Sequence, residues 1–251
     1  VFDARRDGIF APHRPLPSKR VHLSTATSLA LVALLLAILC SVGLGVNSTL
    51  FCLASAGLVV FYNSAAKFMP AVGLLTLGLI RASHMLIGDP KLVFCWPVWL
   101  VMTHVIVISA VAHRLEHKRP YLSKPELWGL SAGWTFWSLA LILWMSQRDG
   151  LTLYHMPWVW GPPVAVGLVF LVIVIAIAGN PSDERAAGRS VIRLGLIWLI
   201  IFDGSWLLGA QRWVEAAVFG VLLVLTLAMV HGTRTLQAFI SREVYRSDRG
   251  S

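Results

Sequence analysis

Acidic residues are scarce in this chain: Asp and Glu number 12 in 251 residues, against 21 Lys and Arg. Charged residues make up 13% of the sequence, where a soluble domain carries about a quarter. So little charge cannot cover a water-facing surface, and a soluble globular domain is excluded. Cysteine is nearly absent. Cys40, Cys52 and Cys95 lie in apolar segments without paired spacing, which argues against a disulfide framework or metal site and leaves reduced packing residues. Low-complexity tracts and internal repeats are also missing, and the length leaves no room for a separate soluble domain.

What is present is apolar: 57% of residues are hydrophobic and the mean hydropathy is +0.74. About 20 apolar residues in a helix cross about 30 Å of hydrocarbon. Eight stretches qualify, at about 24–46, 49–62, 68–87, 93–113, 127–146, 157–178, 190–208 and 213–240. The first follows Lys19-Arg20 like a signal-peptide core, yet seven further spans make it an anchoring helix. The third is the weakest, with Pro70, Gly73, Gly78 and the charged Arg81. The expected fold is all-α, a polytopic transmembrane bundle forming one domain over residues 1–251.

Charge placement supports this segmentation. With the N-terminus inside, the alternation puts 17 of the 21 basic residues on the cytoplasmic side. They are Arg5, Arg6, Arg14, Lys19, Arg20; Lys67; Arg114, Lys118, Arg119, Lys124; Arg185, Arg189, Arg193; and Arg234, Arg242, Arg246, Arg249. Only Arg81, Lys91, Arg148 and Arg212 fall elsewhere. Omitting the third span would reverse every later loop and spoil the asymmetry. The positive-inside rule therefore predicts a multi-pass protein with both termini cytoplasmic, in a membrane such as the bacterial inner membrane. Topology also explains the net charge of +9 better than nucleic-acid binding does, because the basic residues sit in short loops between apolar runs. Trp96, Trp128, Trp144, Trp158, Trp160 and Trp213 fall near predicted span ends, as interfacial anchors do.

Ahead of the first span the chain reads VFDARRDGIFAPHRPLPSKR. Asp3 and Asp7 are four apart, so a helix projects both carboxylates from one face. Such a pair can share a hard cation such as Mg²⁺, which takes oxygen ligands and commonly completes its shell with substrate phosphates. Arg5, Arg6, Arg14, Lys19 and Arg20 surround the pair with groups suited to phosphate.

D-A-R-R-D, then H-R-P-L-P-S-K-R, then a serine- and alanine-rich helix start, resembles the first aspartate-rich motif of the UbiA family of intramembrane prenyltransferases. That pattern reads N-D-x-x-D-x-x-x-D, followed by R-P-L-P-S-G and a helix. The match makes Asp3 and Asp7 the last two aspartates. It implies that the preceding Asn-Asp and the family's first two transmembrane helices lie upstream of Val1. Y-N-S-A-A-K, from Tyr62 to Lys67, matches the family's Tyr-and-Lys element. G-L-L-T-L-G-L-I-R-A-S-H-M-L-I-G, from Gly73 to Gly88, resembles the G-x-x-x-x-G-x-x-R-x-x-N-x-x-x-G helix of a UbiA-like subgroup, with His84 in place of Asn. The run from Arg189 to Asp203 is similar to that subgroup's late helix.

One departure stands out. The second aspartate-rich motif belongs between the fourth and fifth spans, where this chain reads H-R-L-E-H-K-R-P-Y-L-S-K-P-E. It offers Glu116 and Glu126 and no aspartate, so Glu116 is the expected stand-in. The resemblance implies Mg²⁺-dependent transfer of an isoprenoid chain from a prenyl diphosphate to an aromatic or other lipophilic acceptor, within membrane lipid and without nucleic acid. The implied catalytic residues are Asp3, Asp7, Lys67 and Glu116, with Asp3 and Asp7 on the metal. Arg14, Tyr62, Asn63, Arg81 and His84 are implied for substrate binding.

Other readings compete. A non-catalytic UbiA-like protein or a lipid or metabolite transporter would also place Arg81 and Asp203 inside the membrane. H-R-L-E-H, from His113 to His117, spells the inverted zincin pattern with two histidines on one helix face, but it sits in a basic loop at a membrane boundary. His104 reads as a satisfied core residue.

Overall fold

The computed structural model describes residues 4–10, 12, 14–88, 90–91, 95–147, 157–179 and 182–247. Nine α-helices are described: α1 (Ala4–Phe10), α2 (Leu23–Leu44), α3 (Val46–Ser64), α4 (Pro70–Gly88), α5 (Trp96–Leu115), α6 (Lys124–Ser146), α7 (Gly161–Gly179), α8 (Glu184–Gly209) and α9 (Trp213–Ser247). The described residues contain no strand. Helices α2 to α8, with the Trp213–Thr233 part of α9, are long and apolar enough to cross a membrane. The fold is all-α with eight candidate spans; six fall within a few residues of their expected ranges, while the seventh begins at Glu184 rather than 190 and the apolar part of the eighth ends at Thr233 rather than 240.

The helix boundaries follow local chemistry. Pro70 opens α4, and Pro97 and Pro125 sit in the first turns of α5 and α6. A missing N–H costs nothing there and the fixed φ suits a helix. The Ser123 backbone N–H donates to the Glu126 carboxylate at 3.3 Å, which anchors the start of α6. Trp96 and Trp213 are the first residues of α5 and α9, consistent with interfacial placement.

Two compact units divide the chain. The first holds residues 1–153 with the segment 183–188, and the second holds 154–182 with 189–251. In the first unit α4 packs against α3, α5 and α6. Its core includes Leu74, Leu86, Val98, Met102, Ile106 and Leu130. Small residues let these helices approach closely, as membrane packing requires. A Cβ on Gly78 would lie 2.6 Å from Ile106 Cγ1 and 3.0 Å from the Met102 carbonyl oxygen.

Side-chain hydrogen bonds join the same helices. Ser55 donates to Ser83 Oγ at 2.7 Å between α3 and α4. Trp134 Nε1 donates to Thr103 Oγ1 and Trp99 Nε1 to Ser138 Oγ, both at 2.9 Å, between α5 and α6. Helix α2 differs: Leu31, Leu35 and Leu39 are among its many exposed apolar side chains, a surface suited to hydrocarbon. Cys52 and Cys95 are buried, Cys40 is exposed, and all three are free thiols.

In the second unit, aromatic contacts hold α7 and its preceding turn against α8. Phe170 stacks on Trp198 at 5.2 Å between ring centroids, and Trp160 meets Trp206 edge-on at 5.1 Å. Asp203 is half-buried on α8.

Candidate functional site

The segment before α2 is built from short-range contacts. Helix α1 carries Asp7, and both carboxylate oxygens accept from Arg14 Nη1, at 2.8 and 2.9 Å. Arg14 then begins a compact turn: Ser18 N–H donates to the Arg14 carbonyl at 3.0 Å and Val21 N–H to the Pro15 carbonyl at 3.1 Å. Lys19 closes that turn in the left-handed region, at φ 58°. The quoted family pattern has glycine at this position, and glycine reaches that conformation without the Cβ clash a lysine meets. The backbone of the turn thus explains the pattern. Asp3 lies outside the described residues.

The Tyr62–Lys67 element sits at the C-terminal end of α3. Asn63 Nδ2 donates to the Val59 carbonyl at 2.8 Å. Tyr62 is half-buried. Lys67, in the 3-10 turn Ala66–Phe68, lies 5.2 Å from the Phe68 ring centroid. A Cβ on Gly73 would lie 2.8 Å from the Ala66 carbonyl oxygen, so the start of α4 presses directly on that turn. Arg81 and His84 are both exposed and lie three residues apart, on one strip of α4.

The loop from α5 to α6 is arranged differently from the expected second motif. Helix α5 ends at Leu115 and Glu116 is its C-cap residue. The Glu116 carboxylate pairs with Lys118 at 3.3 Å. Its Cγ would lie 2.7 Å from a Cβ on Gly188, so the aliphatic stem of Glu116 packs on the first turns of α8. The described partners of the two acids are therefore Arg14 for Asp7 and Lys118 for Glu116. Glu126 is occupied at the start of α6. That role was legible in S-K-P-E, a capping-box spacing, and went unread.

The inverted zincin reading fails on geometry. His117 lies beyond the end of α5 with φ 49°, so the two histidines do not share a helix face. His113 Nε2 contacts the Pro120 carbonyl at 3.0 Å, and His117 Nε2 contacts Glu184 Oε2 at 2.5 Å. The second contact ties this loop to the start of α8 across 67 residues of sequence, and no local pattern announces it. His104 is buried in α5, as a core histidine should be.

Among the described residues no three His, Cys, Asp or Glu side chains gather to hold a metal ion. A Mg²⁺ ion here would draw on Asp7, on Asp3, and on the oxygens of a diphosphate. That donor set suits Mg²⁺, which is commonly held by one or two carboxylates with substrate phosphates and water.

No family model matches the chain, and no solved structure matches it significantly. Over 103 residues the chain is 34% identical to digeranylgeranylglyceryl phosphate synthase of Sulfurisphaera tokodaii, a UbiA-family prenyltransferase. The UbiA resemblance stands. The match takes in 41% of this chain and 36% of the relative, so it spans little more than a third of that enzyme.

Proposed function

We propose that this chain is an intramembrane prenyltransferase that moves an isoprenoid chain from a prenyl diphosphate to a lipophilic acceptor. The observation that carries this reading is the identity to a synthase of a prenylated glyceryl phosphate. The left-handed Lys19, where the family pattern has glycine, is consistent with that resemblance.

Asp7, together with Asp3, would hold Mg²⁺ ahead of α2, with Tyr62, Asn63 and Lys67 supplied from the C-terminal end of α3 and the turn after it. When bound, the ion neutralises the diphosphate and makes it a better leaving group. Arg14 has a second role once substrate arrives: its guanidinium exchanges part of the Asp7 pairing for diphosphate oxygens, which match its fork geometry. Lys67 stabilises charge as it develops on the departing diphosphate. The bond between the allylic carbon and the diphosphate oxygen breaks, and its electron pair leaves with the diphosphate. The acceptor nucleophile bonds to that carbon and gives up its proton. Glu116 assists from the α5 end, and Arg81 and His84 contact substrate from their strip of α4. The Lys67 end faces the cytoplasm, following the charge asymmetry.

The test is binding of a short prenyl diphosphate to the purified protein, with and without Mg²⁺. Asp3→Asn and Asp7→Asn should each weaken Mg²⁺-dependent binding by about tenfold or more, since each removes a charged ligand from a hard cation. Metal-independent binding that is equal in wild type and both variants would refute the reading. It would favour a transporter of uncharged lipid.

A further inference from the structure

Residues 65–69 join α3 to α4 and fold back tightly against the second helix. Ala65 caps α3, the 3-10 turn Ala66–Phe68 follows, and Pro70 opens α4. Ala66 is fully buried, and its carbonyl accepts from the Met69 N–H at 2.9 Å. The backbone of Gly73 lies against that same carbonyl. A Cβ at 73 would stand 2.8 Å from the Ala66 oxygen, 3.3 Å from its carbonyl carbon and 3.4 Å from Lys67 Cα. We propose that Gly73 is a positioning residue for Lys67: its missing side chain lets α4 close onto the turn and fixes where the lysine stands. What Lys67 does rests on the diphosphate role given to it above. Where Gly73 holds it rests on geometry alone.

The contact has no room for a methyl group. Carbon and carbonyl oxygen in contact stand about 3.3–3.6 Å apart, so an added Cβ demands a shift of roughly 0.5–0.8 Å. Both partners are backbone, and one of them has to move. The helix is the more firmly held of the two. Leu74 and Leu86 sit in the core of the first unit, and Gly78 packs against Ile106 and the Met102 carbonyl. On the turn side Phe68 and Met69 are 51% and 45% exposed. The turn therefore gives way and carries Lys67 with it. A misplacement of about 1 Å can cost a site about 10²-fold, so a shift of roughly half that size reaches about tenfold.

Gly78 supplies the control on the same helix. A Cβ there would crowd the Ile106 side chain at 2.6 and 2.8 Å and the Met102 carbonyl oxygen at 3.0 Å. It lies about 7.5 Å of helix rise beyond Gly73, away from the turn. Alanine at 78 thus disturbs the packing of α4 on α5 and leaves the Lys67 turn alone. Alanine at 73 disturbs the turn directly. A role in packing alone makes the two variants alike, whereas a positioning role separates them.

The experiment uses the full chain with Gly73→Ala, Gly78→Ala, Lys67→Gln and the Gly73→Ala/Lys67→Gln double variant. Binding of geranyl diphosphate is measured with and without Mg²⁺. Lys67 is also watched directly, without any ligand. The lysines are Lys19, Lys67, Lys91, Lys118 and Lys124, and ¹³C-methylation gives each amine an NMR signal. The Lys67 Nζ lies 5.2 Å from the Phe68 ring centroid, so the ring current of Phe68 makes its signal sensitive to small movements. Lys67→Gln assigns that signal by removing it.

Gly73→Ala should weaken Mg²⁺-dependent binding about tenfold, and Gly78→Ala should leave it within about twofold of wild type. With Lys67 already replaced, Gly73→Ala should change affinity by less than about twofold, because a positioning residue is coupled to the group it places. The Lys67 signal should move in Gly73→Ala and stay in Gly78→Ala, while the other lysine signals hold in both. An unmoved Lys67 signal, a Gly73→Ala loss that persists without Lys67, or equal losses from the two alanine variants would overturn the proposal. So would a Gly73→Ala chain that fails to fold where Gly78→Ala folds, since the contact would then support the bundle rather than Lys67. A wild-type chain that binds no diphosphate would refute the prenyltransferase reading alone. The lysine spectra would still decide whether Gly73 places Lys67.

Discussion

Ser55 donates its hydroxyl hydrogen to Ser83 across 2.7 Å, and both side chains are buried where α3 meets α4. The bond is one polar link in an otherwise apolar contact. Ser83 also keeps its own donation to Ile80, so removing Ser55 leaves no donor unpaired. Interhelical hydrogen bonds in membranes average about 0.6 kcal/mol. Ser55→Ala should therefore cost about that much in a reversible unfolding assay in mixed micelles. A loss above about 2 kcal/mol would mean that Ser55 does more than bridge the two helices.

Lys19 makes an opposite prediction. A non-glycine residue in the left-handed region costs roughly 1–2 kcal/mol, and nothing in the turn exempts Lys19 at φ 58°. Lys19→Gly should stabilise the Arg14–Val21 turn, partly offset by the greater freedom of glycine in the unfolded chain. The readout is slower proteolysis within residues 14–22. Faster cleavage would show that the lysine side chain, rather than the backbone, holds the turn.

Two glycines should respond in opposite ways to the same substitution. Gly78→Leu drives its new atoms into Ile106 and the Met102 carbonyl, and overpacking of this kind costs about 1–3 kcal/mol. Gly57→Leu meets open space and should be neutral or stabilising. Thermal unfolding of the two purified variants checks the contrast. Equal destabilisation would contradict the close α4–α5 contact or the open face of α3.

Sidedness can be read by labelling. In a background without Cys40, Cys52 and Cys95, cysteines placed at Ser123 and at Lys91 lie at opposite ends of α5. An impermeant thiol reagent should modify Ser123→Cys only from the cytoplasmic side and Lys91→Cys only from the other. Modification of both from one side would break the eight-span arrangement and move the proposed diphosphate site with it.

Hydropathy made the spans legible because a helix that must satisfy its own backbone in hydrocarbon has to be long and apolar. Its errors fell where polar residues extend a helix. The second span read as 49–62, yet α3 begins at Val46 and takes in Asn47, Ser48 and Thr49. The seventh read as 190–208, yet α8 starts at Glu184, an acid favourably placed at a helix N-terminus.

The site was less legible. Asp7 and Arg14 share a segment whose turn residues announce it. The contacts of Glu116 with Gly188 and of His117 with Glu184 depend on how distant elements meet. Helices apolar on every side do not reveal in their pattern which faces touch.

Gly45 is the whole connection between α2 and α3, at φ 111°, and the Thr49 N–H and hydroxyl both donate to its carbonyl, at 3.0 and 3.1 Å. No polar loop separates the two helices. Insertion of the pair as one helical hairpin is the expected consequence, with only the few polar groups around Asn47, Ser48 and Thr49 to carry across. The translocation machinery has no hydrophilic segment to pass at this point. Lengthening the connection by a handful of charged residues would turn one concerted insertion step into two separate ones.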